Sequence, residues 1–208
     1  MDPRDHWQFI YTTRPATEVG WYEPDPALSR RLVEHAVERG AQSVVDVGGG
    51  ASFLVDQLLD LGLKRVAVVD ISDAGLELAR KRLGKRASAV EWIVGDVTAI
   101  DDIGPFDVWH DRAVFHFLID TRQRRRYVAL AERTVEPGGT AVMATFAHDG
   151  PERCSGLPVR RYDLDALAEE CGPGWQLASG ESHVHVTPFG VEQRFLYSTF
   201  RRVGRPSS

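Results

Sequence analysis

Apolar runs alternate with amphipathic stretches along most of the chain. The apolar runs, which are rich in Val, Ile and aromatic residues, predict strands at 43–47, 65–70, 90–94, 106–109 and 140–146. The amphipathic stretches, several of which have a capping residue or a terminal glycine, predict helices at about 27–40, 52–62, 73–84, 121–135 and 162–171. Strands that alternate with helices form a parallel sheet covered on both faces. We therefore predict an α/β fold with a doubly wound sheet.

The two ends of the chain break this alternation. Residues 7–26 are rich in Trp, Tyr and Pro, which indicates a loop. Residues 182–187 and 191–203 alternate apolar with polar positions around Pro188-Phe189-Gly190, which predicts a β-hairpin. The chain is accordingly divided into an aromatic N-terminal arm or lid at 1–26, a single domain at 27–203 and a frayed tail at 204–208.

Composition and charge narrow the class of protein. With 208 residues, of which 43% are hydrophobic, the chain is long enough for one domain with a substantial core. Its formal net charge of −5 argues against nucleic-acid binding, which needs a basic face, and we interpret the basic cluster at 122–126 as a solvated face. The sequence shows neither an apolar signal core near its start nor a run long enough to span a membrane.

The cysteines and histidines predict neither disulfides nor a metal centre. Cys154 and Cys171 form no disulfide framework and no Cys-x-x-Cys motif, so the expected setting is the reducing cytoplasm. His183 and His185 share one face of a predicted strand, but no Cys or carboxylate has ligand spacing to them. We expect no metal, no nucleic-acid or membrane partner, and either a monomer or a homodimer.

A glycine-rich turn joins the first predicted strand to the next helix. Gly48, Gly49 and Gly50 lack a Cβ, so they let a ligand approach the backbone closely. In open α/β sheets a nucleotide-like ligand binds at such a turn. A dinucleotide motif would carry a third glycine where this chain has Phe53, and the acid at Asp46 disfavours a pyrophosphate but suits a cation. The turn therefore predicts a nucleotide-like ligand that carries positive charge.

Two further acids lie at successive strand ends. Asp70 closes the second predicted strand about twenty residues after the glycine turn, where a carboxylate can accept hydrogen bonds from ribose hydroxyls. Asp96 follows the third predicted strand. Each has a simpler interpretation, since Asp70 can cap the following helix and Asp96 can begin a turn. Together with Asp46, they favour ligand binding over these local roles.

These motifs resemble those of class I S-adenosylmethionine-dependent methyltransferases, whose first motif is Asp-x-Gly-x-Gly. The resemblance implies a single-domain, Rossmann-like, mostly parallel seven-stranded sheet with an antiparallel last strand. It also implies S-adenosylmethionine as the cofactor, S-adenosylhomocysteine as the product and no metal. In this family an acid at the position of Asp96 accepts from the adenine amino group, and an apolar neighbour, here Val97, covers the ring. The cofactor-binding residues expected here are Trp7, Tyr11, Asp46, Gly48, Gly49, Gly50, Asp70, Ile71, Asp96, Val97 and His110.

The segment after the fourth predicted strand narrows the resemblance. Its run Trp109-His110-Asp111-Arg112, the Pro- and Gly-bearing segment 149–158 and the helix entered at Tyr162 look like the thiopurine S-methyltransferase branch. The chain departs from that branch by the inserted His110 and by the aromatic segment around His116. The resemblance implies methyl transfer to a small molecule, with a thiol sulfur as the favoured acceptor. An O- or N-methyltransferase, a protein lysine methyltransferase, and an NAD-binding or non-catalytic module are alternatives.

We expect Asp111, His116 and Arg112 to be the catalytic residues. Asp111 lies in the segment that faces the methyl group in this fold, Arg112 can fix its carboxylate or hold an acidic substrate, and His116 can accept a proton near neutral pH. The alternative is a structural Asp111–Arg112 ion pair and a His116 packed among aromatic residues. The expected substrate pocket consists of Trp21, Tyr22, Phe115 and Cys154. Trp7, Trp21 and Tyr22 are candidates for a lid or, alternatively, a staple that packs the arm onto the sheet.

Overall fold

The computed structural model describes residues 2–204, which form nine strands and six α-helices. The strands are β1 Ser43–Val47, β2 Arg65–Asp70, β3 Val90–Val94, β4 Phe106–Arg112, β5 Val135–Phe146, β6 Arg153–Cys154, β7 Leu157–Pro158, β8 Trp175–Val186 and β9 Glu192–Arg202. The α-helices are α1 Pro3–Thr13, α2 Ala27–Glu38, α3 Leu54–Leu58, α4 Asp73–Leu83, α5 Thr121–Thr134 and α6 Leu164–Cys171. Short 3₁₀ turns lie at Ala16–Glu18, Gly84–Ala89 and Phe115–Phe117.

Seven strands form one sheet in the order β3-β2-β1-β4-β5-β9-β8, and β6 pairs with β7 separately. The first five strands in this order pair in parallel. β9 is antiparallel to both of its neighbours, β5 and β8. This topology confirms the predicted mostly parallel sheet with an antiparallel last strand. The strand order reverses between β1 and β4, which opens a crevice at their carboxyl ends.

Helices cover both faces of the parallel strands. On one face, α2, α3 and α4 pack against buried side chains such as Val44 and Val68. On the other, α5 and α6 pack against buried side chains that include Trp109 of β4 and Met143 of β5. Successive residues of a strand point to opposite faces. Neighbouring residues near the end of β4 therefore face different layers.

The N-terminal arm is not the loop that its composition predicts. Residues 3–13 form α1, whose first turn has Pro3 and whose N-cap Asp2 accepts a hydrogen bond from the Arg4 N–H at 2.8 Å. Ile10 and Tyr11 are buried on its inner face. The loop predicted at 7–26 was therefore wrong over residues 7–13. The helical period there is weak because only two buried positions lie among more polar neighbours.

Several other element bounds differ from the prediction. α3 spans Leu54–Leu58 and not 52–62. The strand predicted at 140–146 begins earlier, since β5 starts at Val135, and its pairing with β4 is irregular around Gly138, which has a φ of 87°. β8 begins at Trp175, seven residues before the predicted hairpin, because much of this edge strand is exposed and carries no apolar pattern. A strand that is paired with neighbouring strands can form with a weaker intrinsic strand propensity than an isolated one.

Within residues 2–204, none of the helices is both long and apolar enough to cross a membrane. Gly204 has no regular structure, and residues 205–208 of the predicted tail, like Met1, lie outside the described part of the chain.

Candidate active site

A cavity of about 320 Å³ lies at the carboxyl ends of the parallel strands. Gly48 follows β1, Asp70 ends β2 and Asp96 follows β3, so three successive strand ends contribute to its lining. Trp7 of α1 and Trp21 of the segment after α1 also line it. The predicted cofactor residues that line this cavity are Trp7, Tyr11, Gly48, Asp70, Ile71, Asp96 and Val97. We call it the large cavity.

The glycine turn is packed too closely to accept side chains. A Cβ on Gly49 would lie 2.6 Å from Asp46 Oδ2. Gly50 has a φ of 45°, and a Cβ there would collide with the Tyr11 hydroxyl group. The turn therefore needs glycine both for its backbone conformation and for the approach of α1.

Asp70 is a buried carboxylate at the end of β2, in the lining of the large cavity. Its Oδ1 accepts a hydrogen bond from the Ser72 N–H at 2.8 Å, so it also fixes the start of α4. Burial raises the pKa of Asp70 to about 7, and the charge of Asp46 adds to the increase, although backbone N–H groups of Ser72 and Gly50 oppose it. A carboxyl group with this pKa gains a charge near neutral pH, when it becomes a stronger acceptor for hydroxyl groups.

Asp96 holds the turn after β3. Its Oδ1 accepts hydrogen bonds from the Thr98 N–H at 2.7 Å and from the Thr98 hydroxyl at 2.8 Å. The local role considered from the sequence is therefore present, and Asp96 and its neighbour Val97 also line the large cavity. A turn that is fixed in this way presents the same residues to a ligand in a constant orientation.

Asp46 is buried and is oriented by His110. His110 Nδ1 lies 2.7 Å from Asp46 Oδ1, and His110 Nε2 lies 2.9 Å from the Ser29 hydroxyl on α2. His110 lies on β4, directly opposite Asp46 of β1 in the parallel register. The residue that departs from the family pattern therefore fixes one oxygen of the motif acid. Among residues 2–204, Asp46 Oδ2 has no hydrogen-bond partner.

A second cavity, of about 40 Å³, lies on the Asp46 side of the glycine turn. Glu23 and Arg112 line it together with Asp46 and His110. Arg112 Nη2 lies 3.2 Å from Glu23 Oε2 as an ion pair, although the angles do not form a hydrogen bond. We call it the small cavity. Trp21 lines both cavities and so lies between them.

Asp111 does not line either cavity. Its carboxylate accepts hydrogen bonds from the Val114 N–H at 2.8 Å, from the Phe115 N–H at 3.0 Å and from the Tyr127 hydroxyl. These bonds fix the turn after β4, in which Ala113 has a φ of 74°. Burial raises the pKa of Asp111 to about 6, against the opposing effect of its three donors. The carboxylate faces the α5 layer, and this geometry does not support the expected role as a base toward a bound substrate.

Arg112 points to the opposite face of β4 and makes no ion pair with Asp111. Its Nε donates to the Tyr197 hydroxyl at 3.1 Å, and its Nη1 donates to the Trp21 carbonyl at 3.1 Å. The alternation of side chains along a strand separates the two residues. The expectation that Arg112 fixes the Asp111 carboxylate was therefore wrong, although Arg112 does line both cavities.

His116 is enclosed in the core. It is fully buried, its Nδ1 accepts a hydrogen bond from the Phe146 N–H at 3.2 Å, and its ring lies 4.5 Å from that of Phe117. Burial, together with a smaller effect of the positive charge of Arg112, lowers the pKa of His116 to about 3. The imidazole is therefore neutral at physiological pH and lies outside both cavities. This position matches the packed alternative and does not support the expected role as a base.

The four expected substrate-pocket residues do not share one site. Trp21 lines both cavities, Tyr22 lines the small one and Cys154 lines the large one. Phe115 is fully buried against Tyr127 and lines neither. Burial raises the pKa of Cys154 to about 11, so this thiol is protonated at neutral pH.

Four residues near the site were not predicted. Phe117 lines the large cavity with its ring 5.1 Å from that of Trp7, and Glu23 lines the small one. His183 and His185 of β8 hold the segment after α1, since His183 Nε2 lies 3.6 Å from Glu23 Oε1 and His185 Nε2 donates to the Gly20 carbonyl at 2.8 Å. Phe117 belongs to the aromatic run 115–117, which is a sequence signal for a site residue. No local sequence pattern predicts the contact between Glu23 and β8. Within residues 2–204, we find no group of three His, Cys, Asp or Glu side chains arranged to hold a metal ion.

Comparisons with known proteins place this site in a wider context. A family model described as a methyltransferase domain matches residues 44–139. The ubiquinone/menaquinone biosynthesis C-methyltransferase UbiE of Paracoccus denitrificans (strain Pd 1222) is 31% identical over 121 residues, which cover 56% of this chain and 47% of that protein. The chain spans between about a fifth and three fifths of the length of the curated relatives it matches.

Solved structures share the fold at low sequence identity. A structure described as "Conversion of a Disulfide Bond into a Thioacetal Group during Echinomycin Biosynthesis" has a TM-score of 0.73 and 18% identity, covering 98% of this chain and 93% of that one. The N-methyltransferase NodS from Bradyrhizobium japonicum WM9, in complex with S-adenosylhomocysteine, has a TM-score of 0.67 and 17% identity, covering 90% and 95%. The family model and the UbiE relative are thus similar to this chain in sequence, and NodS is similar to it in fold.

Proposed function

We propose that this protein transfers the methyl group of S-adenosylmethionine to a thiol sulfur of a small molecule in the large cavity. The observation that carries the proposal is the lining of that cavity. Asp70 and Asp96 lie at its strand-end side, and among the described residues no other carboxylate and no imidazole lines it. A reaction in this space must therefore proceed with little help from a base.

The residues at the strand ends fit the parts of S-adenosylmethionine. Asp70 would accept hydrogen bonds from the ribose hydroxyls, and Asp96 would accept one from the adenine amino group while Val97 covers the ring. The methionine part would lie beside the glycine turn, whose residues carry no side chains of their own. Asp46 Oδ2, which is buried and unpartnered among residues 2–204, would take the ammonium group.

Methyl transfer to a thiol requires alignment more than proton removal. The sulfur lone pair attacks the sulfonium methyl carbon, the bond from this carbon to the sulfonium sulfur breaks, and S-adenosylhomocysteine leaves as a neutral thioether. The thiol proton passes to solvent, because a thiol is already a few per cent thiolate at neutral pH. The aromatic side chains Trp7, Trp21 and Phe117 would exclude water and align the two sulfur atoms.

The positions of Asp111 and His116 favour this acceptor over a hydroxyl group. A hydroxyl of high pKa needs a base in contact with it, and both candidate bases are held away from the cavity. The echinomycin-biosynthesis structure, which shares the fold, also concerns chemistry at sulfur, the conversion of a disulfide bond into a thioacetal group. A neutral amine needs no base either, so N-methylation is the second candidate, and the NodS N-methyltransferase shares the fold.

A panel of acceptors tests the proposal. The protein is incubated with S-adenosylmethionine and alkyl thiols, aryl thiols, phenols and amines at several pH values, and S-adenosylhomocysteine is quantified. We expect turnover of thiols, with kcat/KM rising with pH until the thiol is ionised. Turnover of an amine or a phenol with every thiol inert would contradict the sulfur assignment, and undetectable binding of S-adenosylmethionine at millimolar concentration would overturn the methyltransferase proposal.

A further inference from the structure

The segment 20–23 is attached to the sheet by side chains from two strands. Arg112 of β4 donates to the Trp21 carbonyl at 3.1 Å, and His185 of β8 donates to the Gly20 carbonyl at 2.8 Å. Glu23 adds an ion pair to Arg112 at 3.2 Å, and its Oε1 lies 3.6 Å from His183 Nε2. We call these contacts the Glu23 latch. The segment itself has no helix or strand to stabilise it.

The charges of the latch are largely shielded from water. The Glu23 and Arg112 side chains are 16% and 13% exposed, whereas the ion pair between Arg31 and Glu181 on the same side of the sheet is 46% and 49% exposed. Charges that are shielded from water interact more strongly, and removing one partner leaves the other uncompensated. The latch is therefore a stronger constraint on its segment than a surface ion pair.

The latch controls the position of one side chain that matters for the cavities. Trp21 lies two positions before Glu23 and directly after Gly20. Its ring lies 5.4 Å from that of Trp7. Trp21 lines both the large cavity and the small one. Release of Glu23 would let Trp21 move away from both cavities.

We propose that Glu23 is a positioning residue that holds Trp21 against the large cavity through its ion pair with Arg112 and its contact with His183, and so shapes the space for the methyl acceptor. The inference rests on the proposed function and adds a residue that acts from outside the large cavity. Glu23 lines the small cavity and not the large one, so we expect its effect to fall on binding of the acceptor and not on the chemical step.

The test compares Glu23→Gln with Glu181→Gln, which removes the exposed partner of Arg31. Hydrogen exchange of the ligand-free protein reports on the latch, and steady-state kinetics with thiophenol report on the acceptor. For Glu23→Gln we expect exchange in residues 19–24 to rise about tenfold or more. We also expect KM for thiophenol to rise about tenfold with kcat within about twofold, as for the loss of one partly buried ion pair. Glu181→Gln should match the wild type in both measurements.

His183→Gln provides a second variant, since His183 is about one third exposed and its removal leaves Glu23 paired with Arg112. It should raise exchange and KM in the same direction by a smaller factor. Exchange at 19–24 that matches the wild type in both variants would overturn the proposal, as would equal losses of kcat and kcat/KM. If the wild type methylates no acceptor, the proposed function fails, while the exchange experiment still decides whether the latch exists.

Discussion

Asp70 combines a proposed cofactor contact with an unusual ionisation. Its raised pKa, about 7, means that the carboxylate becomes fully charged only above neutral pH. The charged form is the better acceptor for ribose hydroxyls, so cofactor affinity should fall by up to roughly tenfold per pH unit below this pKa. Asp70→Asn should weaken binding by about 1–3 kcal/mol and flatten the pH dependence. Calorimetry with S-adenosylhomocysteine between pH 5.5 and 8.5 measures both effects.

The neighbouring Asp73 is a matched control for Asp70. Its side chain is 57% exposed at the start of α4, so Asp73→Asn should leave the affinity and its pH dependence as in the wild type. Parallel pH curves for the wild type and Asp70→Asn would contradict the assigned role. The same raised pKa affects stability. Between about pH 4 and 7 the native state binds more protons at Asp70 than the unfolded state, so stability falls as pH rises through this range, and less steeply in Asp70→Asn.

His116 provides a residue prediction of the opposite kind. Because its pKa is lowered to about 3, the imidazole stays neutral across any practical assay range. His116→Phe should leave the shape of the pH profile of kcat/KM unchanged between pH 6 and 9. It should also lower the free energy of unfolding by about 1–3 kcal/mol, because the Phe146 N–H loses its acceptor.

Denaturant titration and a pH–rate series measure the two effects of His116→Phe. The exposed His35 of α2 is the control, and His35→Phe should change neither. Disappearance of an ionisation near pH 6–7 from the rate profile of His116→Phe would restore His116 as a candidate base.

We predict that helix α1 and the segment after it act as one covering element. Tyr11 packs against the glycine turn and Gly75 of α4, so α1 is attached on the cofactor side. Deletion of residues 1–22 should leave the sheet folded, because the buried residues of its core clusters all follow residue 22. Methyl transfer should be abolished, since Trp7 and Trp21 no longer close the large cavity. Circular dichroism checks the fold and product formation checks transfer.

Two point variants accompany the deletion. Phe9 is 60% exposed on α1, and Phe9→Ala should behave as the wild type. Trp7→Ala should retain the fold and lose most of the activity. This variant tests the lid role even if the deleted protein does not fold. A truncated protein that methylates as fast as the full chain would show that this element is not a lid.

The α1 element also shows why element prediction succeeded in some places and failed in others. The strands at 43–47, 65–70 and 90–94 were predicted at the bounds that the structure has, because buried parallel strands are continuous apolar runs. α1 and the first half of β8 were missed, since one is a helix with few buried positions and the other is an exposed edge strand. Neither carries the periodicity on which such predictions depend.

The ligand that the whole molecule accepts can be tested by thermal unfolding. A ligand that binds only the native state stabilises it by about 2.7 kcal/mol at one hundred times its Kd. For a chain of this size we expect S-adenosylhomocysteine at that excess to raise Tm by roughly 5–11 °C. NAD at the same concentration should leave Tm unchanged, and Asp70→Asn should reduce the shift. A larger shift with NAD would favour a dinucleotide-binding protein instead.

The sequence by itself determined the order of β1–β5 and α2–α6 along the chain, the glycine turn and the three acids at Asp46, Asp70 and Asp96. These features depend on hydrophobic period and on the conformational freedom of glycine, both of which act over short stretches of chain. Only the tertiary structure decided what each polar side chain faces. It directs Asp111 and Arg112 to opposite sides of β4 and encloses His116 among aromatic rings. It also brings His185 to Gly20, 165 positions away, because packing of distant elements determines such contacts and leaves no trace in a local pattern.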